Sequence, residues 1–128
     1  MKVEDLEVYK KLFRLTLQVH ELSMDYPYFE LFELGSQTRR SSNSAGANLA
    51  ECFGNKHTNI YLEGISHALG EIRETKHHLK LAYHKQYITK QELMKLIEGY
   101  TECSKMLYGL EKSLKNTKNN NQQLITAN

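Results

Sequence analysis

Glu74-Thr75-Lys76-His77 has the Glu-x-x-His spacing that places two metal ligands on one side of a helix. A carboxylate-bridged two-metal site in a helical bundle needs two such pairs and two further glutamates, all facing inward. This chain has one pair, and at 100° per residue Glu74 points almost opposite the apolar seam of its own helix. Zinc is served no better. Cys52 and His57 are five positions apart, Cys103 is distant, and no Cys-x-x-Cys pair occurs. A nucleophile at Cys52 or at a serine needs a base, and the base needs a third group to orient it. The histidines gather between His57 and His84, where the apolar pattern predicts His67 and His78 facing solvent and His77 and His84 lateral. They read as ordinary surface histidines. Gly35, Gly46, Gly54, Gly64 and Gly70 fit no phosphate-binding loop. The sequence therefore predicts no catalytic residue, no metal ligand set, no cofactor and no enzyme activity.

Two patterns point to binding. Lys56, His57, Arg73, Lys76, His77, His78, Lys80, His84 and Lys85 form a basic series, with Lys56, Arg73, Lys76, His77, Lys80 and Lys85 the expected contacts to nucleic-acid phosphates. Glu63, Glu71 and Glu74 share the same helix, and no aromatic residues interleave to stack on bases. A solvated mixed-charge face is the competing reading. The second pattern is polar: Arg40, Ser44, Ala47 and Glu51 recur at i, i+4, i+7 and i+11, with Gln37, Arg39 and Asn48 beside them. This face is expected to meet another helix or subunit, with Arg40 and Glu51 in a paired network.

These residues need helices to position them. A first helix is expected over residues 5–25, apolar on more than one stripe and so calling for a second neighbour. Tyr26-Pro27 should end it, and residues 28–34 should form a turn. A second helix is expected over 36–53, closed by Gly54 in the left-handed conformation. Its middle, Ser41 to Ala50, is Ser-, Ala- and Gly-rich. Gly46 alone costs about 1 kcal/mol against alanine in a helix, so a close helix crossing is expected to hold this stretch. A third helix over 58–85 carries a seam of Leu62, Ile65, Leu69, Ile72, Leu79 and Tyr83, with Lys76 snorkelling at the vacant seam position. Thr89-Lys90-Gln91-Glu92 is a capping box that opens the fourth.

The 128 residues give room for one domain, and a net charge of +2 is too small by itself to imply nucleic acid. Its distribution is uneven: residues 1–54 hold six Lys/Arg against eight Asp/Glu, and residues 55–116 hold ten against seven. Two cysteines read as reduced and apolar, so a cytoplasmic protein is expected. No signal peptide or membrane span is expected. The fold class expected is all-α, an antiparallel up-down-up-down four-helix bundle over residues 1–115. A polar Asn/Gln-rich tail over 116–128 is expected to be disordered.

Several segments, taken in order, resemble one family. Asp5-Leu6-Glu7-Val8-Tyr9-Lys10-Lys11, Ser36-Gln37-Thr38-Arg39-Arg40, Asn48-Leu49-Ala50-Glu51-Cys52-Phe53-Gly54, Ala68-Leu69-Gly70-Glu71-Ile72-Arg73-Glu74 and Tyr87-Ile88 resemble motifs of the 23S rRNA-intervening-sequence proteins. Relative to those motifs Cys52 stands for a glycine, Thr38 for a leucine, Gly46 for a proline, Asn55 for an arginine and Glu71 for a serine. The resemblance implies a four-helix bundle that assembles as a homopentameric ring and has no enzyme activity. The expected partners are thus further copies of the chain, with nucleic acid as the alternative and no membrane.

Overall fold

Val8, Leu12, Leu15, Val19 and Ser23 recur at intervals of three or four residues, so they share one face of α1 (Glu7–Ser23), and all five are buried. The helix stops ahead of Tyr26-Pro27. A single helical turn follows as α2 (Tyr28–Leu31). α3 (Leu34–Cys52) holds the small-residue stretch, α4 (Thr58–His84) the longer apolar seam, and α5 (Lys90–Ala127) the C-terminal part. A short 3-10 turn, Val3–Asp5, precedes α1. The computed structural model describes residues 1–127, with side chains through residue 123. Among the described residues no strand occurs, and no helix is long and apolar enough to cross a membrane.

Contacts between the four long helices give their directions. Arg39 bonds Ser23, Thr16 bonds the Ser42 carbonyl, and Tyr9 lies beside Gly46, so α1 and α3 run oppositely. Ser41 meets Thr75 and Cys52 meets Gly64, which sets α4 against α3. Lys76 bonds Thr101 and Asn59 bonds Lys118, and Leu15 packs on Gly99 while Lys11 pairs with Glu102. The result is an antiparallel four-helix bundle with α5 closing on α1.

Local signals do what their chemistry requires. At the start of α5 the Thr89 hydroxyl accepts from the Glu92 amide at 3.1 Å, and the Glu92 carboxylate accepts from the Thr89 amide at 2.8 Å. Gly54 takes φ +73° just beyond α3. α4 ends in a Schellman motif: the Tyr87 amide donates to the Ala82 carbonyl and the Gln86 amide to that of Tyr83, both at 2.9 Å. Gln86 therefore sits at φ +69°, where a side chain is strained. Gln86→Gly is expected to raise the unfolding free energy by about 0.5–1 kcal/mol, the strain relief exceeding glycine's entropy cost. Urea denaturation checks this; an unchanged midpoint would mean that the strain is already relieved.

Ser41, Ser42, Ala45 and Leu49 of the small-residue stretch are buried, and their backbone is continuous helix. The close approach expected there is real. It is sealed by a hydroxyl pair, Ser41 Oγ to Thr75 Oγ1 at 2.8 Å, with Thr75 donating to the Glu71 carbonyl. Asn43, Gly46 and Ala47 face the other way, onto the surface beside α1.

The structure corrects three expectations. The buried face of α4 is Tyr61, Ile65, Ala68, Leu69, Ile72, Thr75, His78, Leu79 and Ala82, while Leu62 and Tyr83 are only half-buried. α4 packs against both α3 and α5, so its buried arc is wider than a two-helix seam and is centred elsewhere. Thr75 fills the position expected to be vacant, and His78, expected in solvent, is buried. Last, the polar tail carries the helical backbone of α5 on through Ala127. Helix hydrogen bonds are local, and no glycine or proline follows Gly109 to stop them. Asn128 and the side chains beyond residue 123 lie outside the described residues.

Candidate functional site

The polar stripe of α3 divides among several partners. Arg40 reaches α4, where its guanidinium pairs with Glu74 and stands 3.7 Å from Glu71. Glu74 in turn lies 3.4 Å from Nε2 of His78, whose Nδ1 is buried with no hydrogen-bond partner among the described residues. Arg39 points to the opposite side, donating to Ser23 Oγ at 3.0 Å and to the Leu31 carbonyl at 2.7 Å. It ties α3 to the end of α1 and to α2. Asn48 donates back to Ser44, at 2.8 Å to the carbonyl and 3.1 Å to the hydroxyl. Gln37 is exposed. Glu51 is also exposed and lines a hollow of about 230 Å³ with Cys52, Glu63, Gly64 and His67. An Arg40–Glu51 pair does not form within the chain. Eleven helical residues separate the two by about 16 Å, and Arg40 is taken by α4 instead.

The basic series of α4 is sorted by the same contacts. Glu71 and Glu74, which share its helix, are turned to Arg40 on the α3 side. Arg73, His77 and Lys80 are exposed and have no ion pair among the described residues. Lys76 is half-buried and donates from its ammonium to Thr101 Oγ1 at 2.9 Å. Burial, and then the charge of Lys80, hold its pKa below the usual lysine value. Lys56 is exposed in the link before α4. Lys85 leaves the series, because its ammonium is committed to Glu30 at 2.7 Å.

That last pair belongs to a cluster with no local signature in the sequence, since Glu30 lies 55 and 57 positions from its two partners. Glu30 is buried and accepts from Lys85 and, at 2.8 Å, from the Tyr87 hydroxyl. The bonds from Lys85 and then Tyr87 lower the Glu30 pKa. The Lys85 pKa is raised by its bond to Glu30, and that of Tyr87 by burial and then the same bond. The linkage signs follow. Glu30 is depressed, so its stabilisation is full above the ordinary 4.5 and is lost as pH falls through the folded value. Lys85 and Tyr87 are raised, so theirs is full below the ordinary 10.5 and 10.0 and is lost as pH climbs through the folded values. Urea midpoints should therefore hold level between these limits and fall on both sides. Glu30→Gln should lower the melting temperature by several degrees at neutral pH and flatten the acid limb. An unaltered acid limb would show that the carboxylate contributes nothing.

Burial governs both thiols, and at Cys103 it outweighs the nearby charges of Lys11 and Arg14. Cys103 is fully buried, and burial pushes its pKa up to about 11. Burial raises Cys52 as well, and its sulfur faces the Leu49 carbonyl at 3.6 Å. No group of three or more His, Cys, Asp or Glu side chains suited to a metal ion occurs among the described residues.

The outer side of α1 sets apolar side chains among charged ones. Phe13 and Leu17 are 55% and 58% exposed, and Tyr9 stacks 6.1 Å from Phe13. At the end of α1 the short α2 projects Tyr28, Phe29 and Phe32, exposed by 82%, 70% and 71%. The sequence pattern foresaw a second apolar stripe on α1; within the chain that stripe is uncovered.

The arrangement defines an all-α four-helix bundle with exposed apolar and basic side chains. Residues 4–109 match the family described as 23S rRNA-intervening sequence protein, and the chain belongs to that family. It is also similar to a crystal structure of a protein of unknown function from the S23 ribosomal protein family of Bacteroides thetaiotaomicron. The TM-score is 0.72 at 25% identity, over 82% of this chain and 98% of that one. No curated protein matches the chain.

Proposed function

We propose that this protein is a non-enzymatic, cytoplasmic bundle that acts by assembling with copies of itself, in a ring of five as its family resemblance implies. One observation carries the reading: Phe13, Leu17, Tyr28, Phe29 and Phe32 are each more than half exposed along α1 and α2. Large apolar side chains exposed together, as Tyr28 and Phe32 are at 6.3 Å and Tyr9 and Phe13 at 6.1 Å, mark interaction faces. The raised thiol pKa values support the non-enzymatic part, because the thiolate is the reactive form. Light scattering at micromolar concentration tests the assembly. Five copies of the 14.9 kDa chain give about 75 kDa, and a monomer would overturn the reading.

A second reading, nucleic-acid binding by the outer face of α4, gains from the diversion of Glu71 and Glu74 to Arg40. Arg73 and Lys80 then present cations with no ion pair among the described residues, and repetition around a ring would multiply them. RNA binding across a salt series should show log K falling linearly with log salt. Arg73→Glu with Lys80→Glu should weaken binding at least about tenfold, since each reversal removes a phosphate contact and adds a repulsion. A weak, salt-independent response would remove this reading.

A further inference from the structure

We infer that the aromatic corner formed by Tyr28, Phe29 and Phe32 of one copy docks into the α1–α3 groove of the next. This rests on the self-assembly reading and adds to it which two surfaces meet.

The groove consists of two joined hollows. One, of about 300 Å³, lies among Tyr9, Phe13, Leu17, Asn43, Gly46 and Ala47. The other, of about 490 Å³, continues past Leu17 and Asn43 to His20, Arg39 and Arg40. Nothing inside the chain needs a glycine at position 46: a Cβ there would meet only Tyr9 Cε2, at 4.0 Å. The open floor is thus available to something from outside.

The aromatic corner suits it in shape, charge and area. Tyr28 and Phe32 hold each other edge to face at 6.3 Å, so the corner is preformed. Residues 25–33 contain Asp25, Glu30 and Glu33 and no cation. Glu30 is turned inward to Lys85, while Asp25 and Glu33 are exposed. The groove offers the opposite sign, since the Arg39 guanidinium there rests on neutral acceptors, Ser23 Oγ and the Leu31 carbonyl. Three aromatic side chains bury about 450–750 Å² together, close to the roughly 800 Å² per partner of a stable interface. Corner and groove are different surfaces of one chain. Repeated head to tail, their pairing builds a ring where the rotation closes and an open filament where it does not. A two-fold dimer would make the same contact twice, each corner seated in the other copy's groove.

Analytical ultracentrifugation of the native chain and two variants tests this. Phe29→Ser with Phe32→Ser removes the corner at exposed positions. Gly46→Leu fills the groove and improves helix propensity, so its melting temperature as a monomer should not fall. The native chain should be oligomeric and each variant alone monomeric. An equimolar mixture should form a one-to-one dimer and stop, because one chain keeps only its groove and the other only its corner. A third variant, Asp25→Lys with Glu33→Lys, leaves the apolar packing intact and should weaken assembly at least tenfold. A monomeric native chain would overturn self-assembly itself. Oligomers persisting in either apolar variant, a mixture that stays monomeric, or a charge variant that assembles normally would overturn the docking and leave self-assembly standing.

Discussion

Tyr100→Ala is expected to lower the unfolding free energy by about 3–5 kcal/mol, the range for deleting a buried aromatic ring. Tyr100 heads the fully buried side chains by volume and lies in the core cluster on α5. Domains of this size are stable by about 5–15 kcal/mol in total, so the loss takes a large fraction. The melting temperature should fall by roughly 10–20 °C. The milder Tyr100→Phe should act in the opposite direction. The Tyr100 hydroxyl is buried with no hydrogen-bond partner among the described residues, and burial drives its pKa up. Removing an unpaired buried hydroxyl while keeping the ring should add about 1 kcal/mol. Urea and thermal unfolding at fixed protomer concentration would measure both, since assembly itself raises apparent stability. A Phe variant less stable than the native chain would mean that the hydroxyl is satisfied.

Gly64→Leu should be nearly as damaging. A Cβ at Gly64 would overlap that of Cys52 across the α3–α4 interface, lie 2.5 Å from its Sγ, and stand 3.5 Å from the Asn48 carbonyl. A longer side chain has to push the two helices apart, at a cost of about 3 kcal/mol, the upper part of the overpacking range. The wall is mainly one residue, which allows a sharper test. Gly64→Ala should destabilise the chain despite alanine's better helix propensity, and Cys52→Gly should reverse that in the double variant. A double-mutant cycle should show a coupling of at least about 1 kcal/mol. Additive effects would mean that Cys52 is not the obstacle. The family motif that residues 48–54 resemble has glycine at position 52, so exchange of bulk across this contact is chemically reasonable.

Much of the fold was legible because its signals are local. The Thr89–Glu92 capping box, the Tyr26-Pro27 stop and the left-handed Gly54 each depend on atoms within a few residues, and each does in the structure what its type requires. The small-residue stretch from Ser41 was legible by a different argument: it forms helix poorly, so a close neighbour had to hold it, and Thr75 of α4 is that neighbour. The buried face of α4 was harder. A seam read from one helix assumes one partner, whereas α4 has two, and this shifted His78 from solvent to core and put Thr75 at the expected place of Lys76.

The candidate interaction residues divide along the same line. Sequence alone specified four helices, their order, the cap that opens the last of them and the surplus of apolar side chains on α1, because hydrogen bonding and side-chain period act over three or four residues. Tertiary structure alone decided that Arg40 would take Glu71 and Glu74 rather than Glu51, and that Lys85 would leave the basic series for Glu30. It also left Arg73, His77 and Lys80 without carboxylate partners among the described residues. An ion pair depends on which helices lie side by side and at what height, and residues 34 or 55 positions apart carry no record of that in their own neighbourhoods.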